Sequence, residues 1–263
     1  MPITHVQNVY MIPRGRVYFD PFNASGEKTG EIALGNCPGF SFSTDTEKAE
    51  HFSSESGLAQ KDASFVVKIT RTGKLPCDNI STDNLALFVA GTKGTQSQAS
   101  ATVTAEAHTV RKGRLYQLGS TSGNPAGVRD ISAVAVKSAD GLTTHAAGTD
   151  YNIDLALGRL QILESGTIAN DSVIKVDYTT PAKTWEQVKS GTAAEVPGAL
   201  RVVADVASGV NRDWYFPSTV LMPSGDLPII QEGTEFVVME FELDILKPAN
   251  AEAMYIDGRP QAI

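Results

Sequence analysis

The sequence predicts a mainly β protein with one short flanking helix and an inserted antiparallel β subdomain. Residues 234–246, TEFVVMEFELDIL, alternate between apolar and acidic side chains, which is the two-residue period of a strand. Short apolar runs recur along the chain, which also contains 23 glycines and 13 prolines, residue types that favour turns. Only residues 82–90 combine an apolar stripe at helical spacing with a capping residue.

One face of the 234–246 strand is apolar and the other carries three acids. The apolar face consists of Val237, Met239, Phe241, Leu243 and Ile245, and the acidic face of Glu240, Glu242 and Asp244. Successive residues on one face of a strand lie about 7 Å apart, so these carboxylates repel one another. Two interpretations remain open: a face exposed to solvent, or an acidic wall beside a molecule that must not adhere.

The first part of the chain predicts a short antiparallel meander. Residues 1–13 show no clear period and are expected to form an arm that becomes ordered on contact. Strands are predicted at 16–20 and 31–35, and the polar, glycine-containing residues 23–30 predict an exposed hairpin loop between them. A third strand at 40–44 alternates phenylalanine with serine, so one face of the meander is expected to be exposed to solvent.

A helical turn and a further strand are predicted next. Residues 47–52 follow a potential capping residue and predict the helical turn. Residues 63–72 alternate, so Phe65, Val67 and Ile69 are expected to face the core.

The helix at 82–90 is the best-defined helical segment of the sequence. Ser81 is expected to cap its N-terminus, and Gly91 to end it. Its apolar stripe consists of Leu85, Phe88 and Val89. A single amphipathic helix in a β protein is expected to cover a face of the sheet.

The middle of the chain differs from its flanks in composition and in the spacing of its predicted strands. Residues 92–107 are rich in Thr, Ser, Gln and Ala, and predict a flexible or extended connection. Five short strands then follow at regular spacing: 115–118, 131–136, 150–154, 159–163 and 173–178. They predict an antiparallel, immunoglobulin-like subdomain at 108–180, inserted between the two halves of a body at 1–107 and 181–263.

Composition argues against two classes of protein. The net charge is −8, and so acidic a chain is not expected to grip nucleic acid, since phosphate binding needs clustered Lys and Arg. The sequence has neither a basic-then-apolar N-terminus nor an apolar run of about 18 residues, so we expect neither classical export nor a membrane span.

The two cysteines form no recognisable metal or disulfide motif. Cys37 and Cys77 are not part of a CxxC pattern, and each lies beside a proline, which predicts that both occupy turns. Free thiols are expected, and a bridge remains open if the two turns meet.

Motifs for catalysis, metals or cofactors are not found in the sequence. His5, His51, His108 and His145 have no partner at metal-ligand spacing, and no serine lies in a GxSxG elbow. Glu240 and Glu242 have the residue type of a glycosidase pair, but no aromatic sugar site accompanies them. We therefore expect a protein that is not an enzyme and binds no cofactor.

Several blocks of the sequence resemble the major tail tube proteins of long-tailed, siphovirus-like bacteriophages. The blocks are GRVYFDP (15–21), EIALGNCPGFSFS (31–43), DNISTDNLALFVAG (78–91), GALRVVADVASGVNRDWYFPSTVLMPSGDLPII (198–230) and EFVVMEFELDILKP (235–248). The resemblance implies a β-sandwich or partial barrel with a flanking helix. It also implies homohexameric rings that stack into a hollow tube in the virion tail.

The resemblance further implies partners and a place of synthesis. Double-stranded DNA would pass through the lumen without specific binding, and a tape measure protein and a tail terminator would set the tube length. The subunit would be made in the host bacterial cytoplasm. In each ring, about four strands per subunit would join one continuous inner barrel, which removes open sheet edges.

Two sets of residues are candidates for these roles. Glu240, Glu242 and Asp244 would line the lumen and repel the DNA backbone. Asn23, Ser25, Glu27 and Lys28 of the first hairpin loop would contact the next ring, as would the N-terminal arm and the tail after Pro248. Alternatives are a carbohydrate-binding or adhesin-like β module, or another ring-forming component of a tail or secretion tube.

Overall fold

The computed structural model describes residues 8–55 and 57–259, which divide into two compact units. Thr95–Glu186 form the second unit, and the described residues on either side of that range form the first. The insertion expected at 108–180 lies within the second unit, whose bounds are wider at both ends. Residues 1–7 of the predicted arm lie outside the described residues.

The described residues form one helix and sixteen strands, numbered in chain order. The helix, α1, spans Thr82–Phe88. The strands are β1 (Gly15–Pro21), β2 (Ile32–Ala33), β3 (Ser41–Ser53), β4 (Gln60–Cys77), β5 (Thr92–Gln98), β6 (Ala101–Val110), β7 (Leu115–Gln117), β8 (Ser132–Ser138), β9 (Tyr151–Asp154), β10 (Arg159–Ile162), β11 (Ser172–Thr180), β12 (Lys183–Lys189), β13 (Val196–Ala204), β14 (Arg212–Ser224), β15 (Met239–Ile245) and β16 (Tyr255–Gly258).

Eight strands of the first unit form one antiparallel sheet. Its order is β2-β1-β13-β14-β15-β4-β3, and β16 pairs with the first part of β14. Two strands separate β3 from β14, yet Phe42 of β3 lies against Trp214 of β14 with ring centroids 5.5 Å apart. The sheet therefore curls around one face, which encloses the core.

Alternate residues of β15 form the centre of this core. Met239, Phe241, Leu243 and Ile245 are all buried. Burial of each such side chain contributes about 1.5–3 kcal/mol to folding. The strand begins at Met239, later than the predicted residue 234, because its partner β4 ends opposite Met239.

The predicted helix is confirmed, with a slightly earlier end. The Ser81 hydroxyl accepts a hydrogen bond of 3.2 Å from the backbone N–H of Asn84, which satisfies one of the free donors of the first turn. Phe88 packs edge-on against Phe241 of β15, with ring centroids 5.7 Å apart. Helix α1 thus covers the core face of the sheet, as its apolar stripe predicts.

Two predictions for the segment before the helix are wrong. Residues 47–52 belong to strand β3 and do not form a helical turn. Phe65, Val67 and Ile69 lie in a strand as predicted, but they are between 52% and 68% exposed instead of buried. Alternation identified the strand correctly and its burial incorrectly.

The pairing of β4 explains this exposure. β15 covers β4 only over residues 72–77, so the earlier part of β4 pairs with β3 alone. We call the resulting two-stranded segment, residues 44–53 and 60–71, the projecting ribbon. Nearly all its residues are exposed, because the described part of the chain supplies no third layer or strand to it.

The second unit contains two three-stranded antiparallel sheets around a separate core. The sheet orders are β7-β10-β9 and β6-β11-β8. Five of these strands lie where the regular spacing predicts them. Buried residues of the core come from both sheets and their connections, and include Leu160, Ile162, Ile174, Val176 and Tyr178.

Of the two alternatives predicted for residues 92–107, the extended one is confirmed and the flexible one is wrong. β5 and most of β6 occupy this range, and β6 pairs with β11 along most of its length. The Thr- and Ala-rich composition gave no apolar period, because β6 is held mainly by its backbone ladder.

None of the described residues form a helix with the length and apolar character that a membrane span requires.

Candidate functional site

The three predicted acids share the open face of the first-unit sheet. Glu240 is exposed, and Glu242 and Asp244 are half-buried beside neighbouring strands, while the residues between them are buried. Their shared face therefore agrees with the alternation of the sequence. That these three acids line a lumen beside DNA stays a prediction.

Neighbouring strands give this face a mixed character. The register places Lys74 and Met222 opposite Glu242, and Val220 opposite Asp244. Opposite charges at such positions attract, so Lys74 offsets part of the charge of the acids. Around β15, three carboxylates and one ammonium leave the face acidic, with apolar side chains beside the carboxylates. Sequence reasoning missed these neighbours because alternation does not reveal the pairing register.

The projecting ribbon exposes apolar side chains on both of its faces. Phe65 and Val66 are paired with consecutive residues of β3, so their side chains point to opposite faces. Both are more than half exposed, as are Val67, Ile69 and Phe52. A two-stranded ribbon with this composition is marginally stable in water by itself, because neither face is covered.

Both edges of the ribbon are also open. β3 is the last strand of the sheet, and β4 has no second partner before Thr72. Cross-strand ion pairs join Lys61 to Glu50 and His51 to Asp62, the latter at 2.5 Å. The backbone ladder holds the two strands together, and the outward backbone groups of both edges remain available to a further strand.

The loop between β1 and β2 is ordered by its own hydrogen bonds. The Asn23 side-chain oxygen accepts hydrogen bonds of 2.9 Å from the backbone N–H groups of Ser25 and Glu27. The Asn23 amide donates to the Glu27 carboxylate at 3.1 Å. The loop is exposed, as predicted, but it does not need a partner to become ordered. Its contact with another ring stays a prediction.

Lys28 anchors this loop to the open face of the sheet. Its ammonium donates to the Tyr215 hydroxyl and lies 5.0 Å from the centroid of that ring. Arg201 packs on the same ring at 4.6 Å and forms a 2.6 Å ion pair with Glu31. The hydrogen bond with Glu31 raises the pKa of Arg201, and the Glu31 carboxylate offsets the charge of the guanidinium.

The two cysteines meet, but the prediction that both occupy turns is wrong for Cys77, which is the last residue of β4. The sulfur atoms of Cys37 and Cys77 are 2.7 Å apart, and both residues are free thiols in the structure. The hydrogen bond from the neighbouring thiol, and then burial, raise the pKa of Cys77 far above its ordinary value. The pair lies beside the core face, where a protonated thiol acts as a small apolar side chain.

Three histidines have carboxylate partners that the sequence did not reveal. His51 pairs with Asp62, His108 with Glu106 at 2.9 Å, and His145 lies 3.8 Å from Asp150. His5 lies outside the described residues. Within 8–55 and 57–259, no three His, Cys, Asp or Glu side chains lie close enough to hold a metal ion.

The carboxylates of the second unit organise its loops. Asp150 accepts hydrogen bonds from the backbone N–H groups of Thr167 and Ala146, which lower its pKa to about 2. Burial raises the pKa of Glu106, but hydrogen bonds from His108, Tyr178 and Gly119 outweigh it and lower the pKa overall. Both carboxylates therefore stabilise structure as anions.

A comparison with protein families gives one match. The model of the family described as "Protein of unknown function UCP028589" matches residues 10–212, which is more than half of the chain. The match extends from before β1 to the first residue of β14, and includes all of the second unit. No curated protein matches the chain.

Proposed function

We propose that this chain, which belongs to the UCP028589 family of proteins of unknown function, is a structural subunit that assembles with copies of itself. More specifically, we propose the tail tube protein of a long-tailed bacteriophage, arranged in stacked hexameric rings in the virion. The observation that carries this proposal is the projecting ribbon, residues 44–53 and 60–71, with its exposed apolar side chains and open edges.

The ribbon has the features of a surface that is buried in an assembly. Natural monomers shorten, charge or cover their edge strands, because an open edge is a template for pairing with another chain. β3 carries charges, namely Asp45, Glu47, Lys48 and Glu50, but it is 13 residues long and terminal in its sheet, and no described segment covers its edge. Apolar residues such as Val66 and Ile69 beside an open edge favour a second copy, which would supply both the missing strand and an apolar cover.

The opposite edge of the sheet ends in a much shorter strand. β2 has two residues and pairs with Tyr18 and Phe19. The backbone N–H groups of Leu34 and Thr29 donate to the carbonyl oxygens of Val17 and Pro21, so the outer side of β1 is largely covered and the free edge on this side is that of β2. Pairing between unlike edges of successive copies is heterologous, and it closes into a ring when the rotation permits. On this proposal the curled sheet is a partial barrel of tail-tube type flanked by α1, and the second unit is its immunoglobulin-like insertion.

The open face of the sheet would then line the tube. Glu240, Glu242 and Asp244, repeated in six subunits, would present negative charge to passing double-stranded DNA and prevent its adhesion. Lys74 would moderate this field without reversing it. Asn23, Ser25, Glu27 and Lys28 would lie near the next ring, and a tape measure protein and a tail terminator would be the other partners.

Electron microscopy of the purified full chain across a concentration series tests the proposal. We expect rings or hollow tubes with sixfold end views. Val67→Asp combined with Ile69→Asp should prevent ring formation, because the ribbon would carry charges into an apolar contact. Leu142→Asp is a matched control in the second unit, since Leu142 is equally apolar and 86% exposed. Discrete particles at every concentration, identical for all three proteins, would contradict the proposal.

A further inference from the structure

The connection between β14 and β15 is unusually long. These strands are antiparallel neighbours, yet residues 225–238 separate them. Hairpin loops normally use about two to five residues, and longer ones without secondary structure are commonly functional. We call this segment the acidic loop, because it carries Asp226, Glu232 and Glu235.

The apolar residues of the acidic loop point into solvent. Ile229, Ile230 and Phe236 are 92%, 95% and 90% exposed. By contrast, Leu227 at the start of the loop packs against the core of the first unit. Three large apolar side chains left almost wholly in water, within a segment rich in acids, favour contact with an apolar surface that has a basic rim.

The same chain contains such a surface. A groove of about 510 Å³ is lined by Val17, Phe42 and Trp214 among other residues, with Arg14 at its wall. We call this the aromatic groove. Its aromatic side chains and Arg14 complement the apolar and acidic side chains of the loop.

The acidic loop cannot reach the Trp214 end of the groove in its own molecule. Trp214 and Ser224 lie ten residues apart on β14, which corresponds to about 33 Å at the rise of a strand. The loop is anchored at both ends beside Ser224, so its tip extends roughly 24 Å at most. The near end of the groove differs, because Gly39 and Phe40 line both the groove and the pocket beside Ser224. The loop can reach that end in its own molecule, whereas only the loop of another copy can reach Trp214.

We propose that the acidic loop of one copy docks in the aromatic groove of the next. The two surfaces are different, so the contact is head to tail and each copy offers a free loop and a free groove to further copies. As a stacking contact between rings, this inference rests on the proposed function. As a contact between two copies, it stands on the loop and the groove alone.

The test uses the full chain with Trp185→Phe, so that Trp214 is the remaining tryptophan and reports on the groove. The loop variant replaces Ile229, Ile230 and Phe236 by serine, and a matched control replaces the exposed Leu142 and Leu155 by serine. The groove variant is Arg14→Glu. We measure the Trp214 emission against protein concentration, and we image the same samples by electron microscopy.

With the loop intact, we expect the emission of Trp214 to shift to shorter wavelength as concentration rises. The loop variant should lose the shift, and Arg14→Glu should need at least about tenfold more protein to reach it. Rings without stacks in the loop variant would support docking within the proposed tube. Normal stacks, with an emission that does not depend on the loop, would overturn the inference and leave the proposed function standing.

The remaining outcomes are also decisive. A loop-dependent shift without any rings would support the contact and contradict the proposed function. An emission that is constant with concentration and equal in all variants would overturn the inference, since it would mean that the groove is empty or is filled by the same chain.

Discussion

The projecting ribbon and strand β11 of the second unit have the same sequence pattern and opposite environments. Ile174, Val176 and Tyr178 alternate along β11 and are buried, because β6 and β8 flank the strand and a second sheet covers it. Val67 and Ile69 alternate along β4 in the same way and are exposed. The difference lies in the number of partners that the described part of the chain provides, and on our proposal the missing partner of the ribbon is another copy.

The largest expected effect concerns core truncation in the two regions. Ile174→Ala should lower the free energy of unfolding of the second unit by about 2–5 kcal/mol, since it removes buried methylene groups and leaves a cavity. Ile69→Ala, the same substitution in the ribbon, should change the stability of the unassembled protein by less than about 0.5 kcal/mol. Urea unfolding at low protein concentration measures both. Equal losses would show that the ribbon is already covered in the monomer.

Acid should weaken the second unit. The pKa of Asp150 is about 2 in the folded protein, below its ordinary value of 3.8. A depressed pKa stabilises the folded state above the unfolded value, and this contribution is lost as the pH falls from about 4 towards 2. Asp150→Ala should therefore lower the melting temperature at pH 6 and flatten its decline in this window. An unchanged decline would assign the acid sensitivity to other groups.

The smallest expected effect concerns the ion pairs of the ribbon. Lys61 and Glu50 form a cross-strand pair in which both side chains are about 40% exposed. Solvent screens such pairs, which contribute from zero to about 1 kcal/mol. Glu50→Gln should change the unfolding free energy by no more than about 0.5 kcal/mol, with Glu55→Gln as a control outside the pair. A larger loss would mean that surface charge, and not a partner, maintains the ribbon.

Local patterns were enough to predict individual elements of the fold. Alternation predicted β15 and its buried residues, and Ser81 with the following apolar stripe predicted α1. Each of these signals lies within a few consecutive residues. By contrast, the burial of Phe65 depends on whether a third strand reaches β4, which is decided by residues far along the chain.

The candidate site was predictable only in part for the same reason. The shared face of Glu240, Glu242 and Asp244 follows from alternation, whereas the position of Lys74 beside them follows from register. The meeting of Cys37 and Cys77 depends on how the segment before β3 folds against the end of β4. The ribbon itself was missed, because an exposed apolar strand has the sequence of a buried one.

Hydrogen exchange of the backbone amides in dilute and concentrated protein tests the central claim most directly. In dilute protein, we expect fast exchange in residues 44–53 and 60–71 and slow exchange in β11, which has partners on both sides. In concentrated protein, the ribbon should become protected while β11 is unchanged. A ribbon that exchanges rapidly at every concentration, or that is already protected in the dilute monomer, would contradict the claim that a second copy completes it.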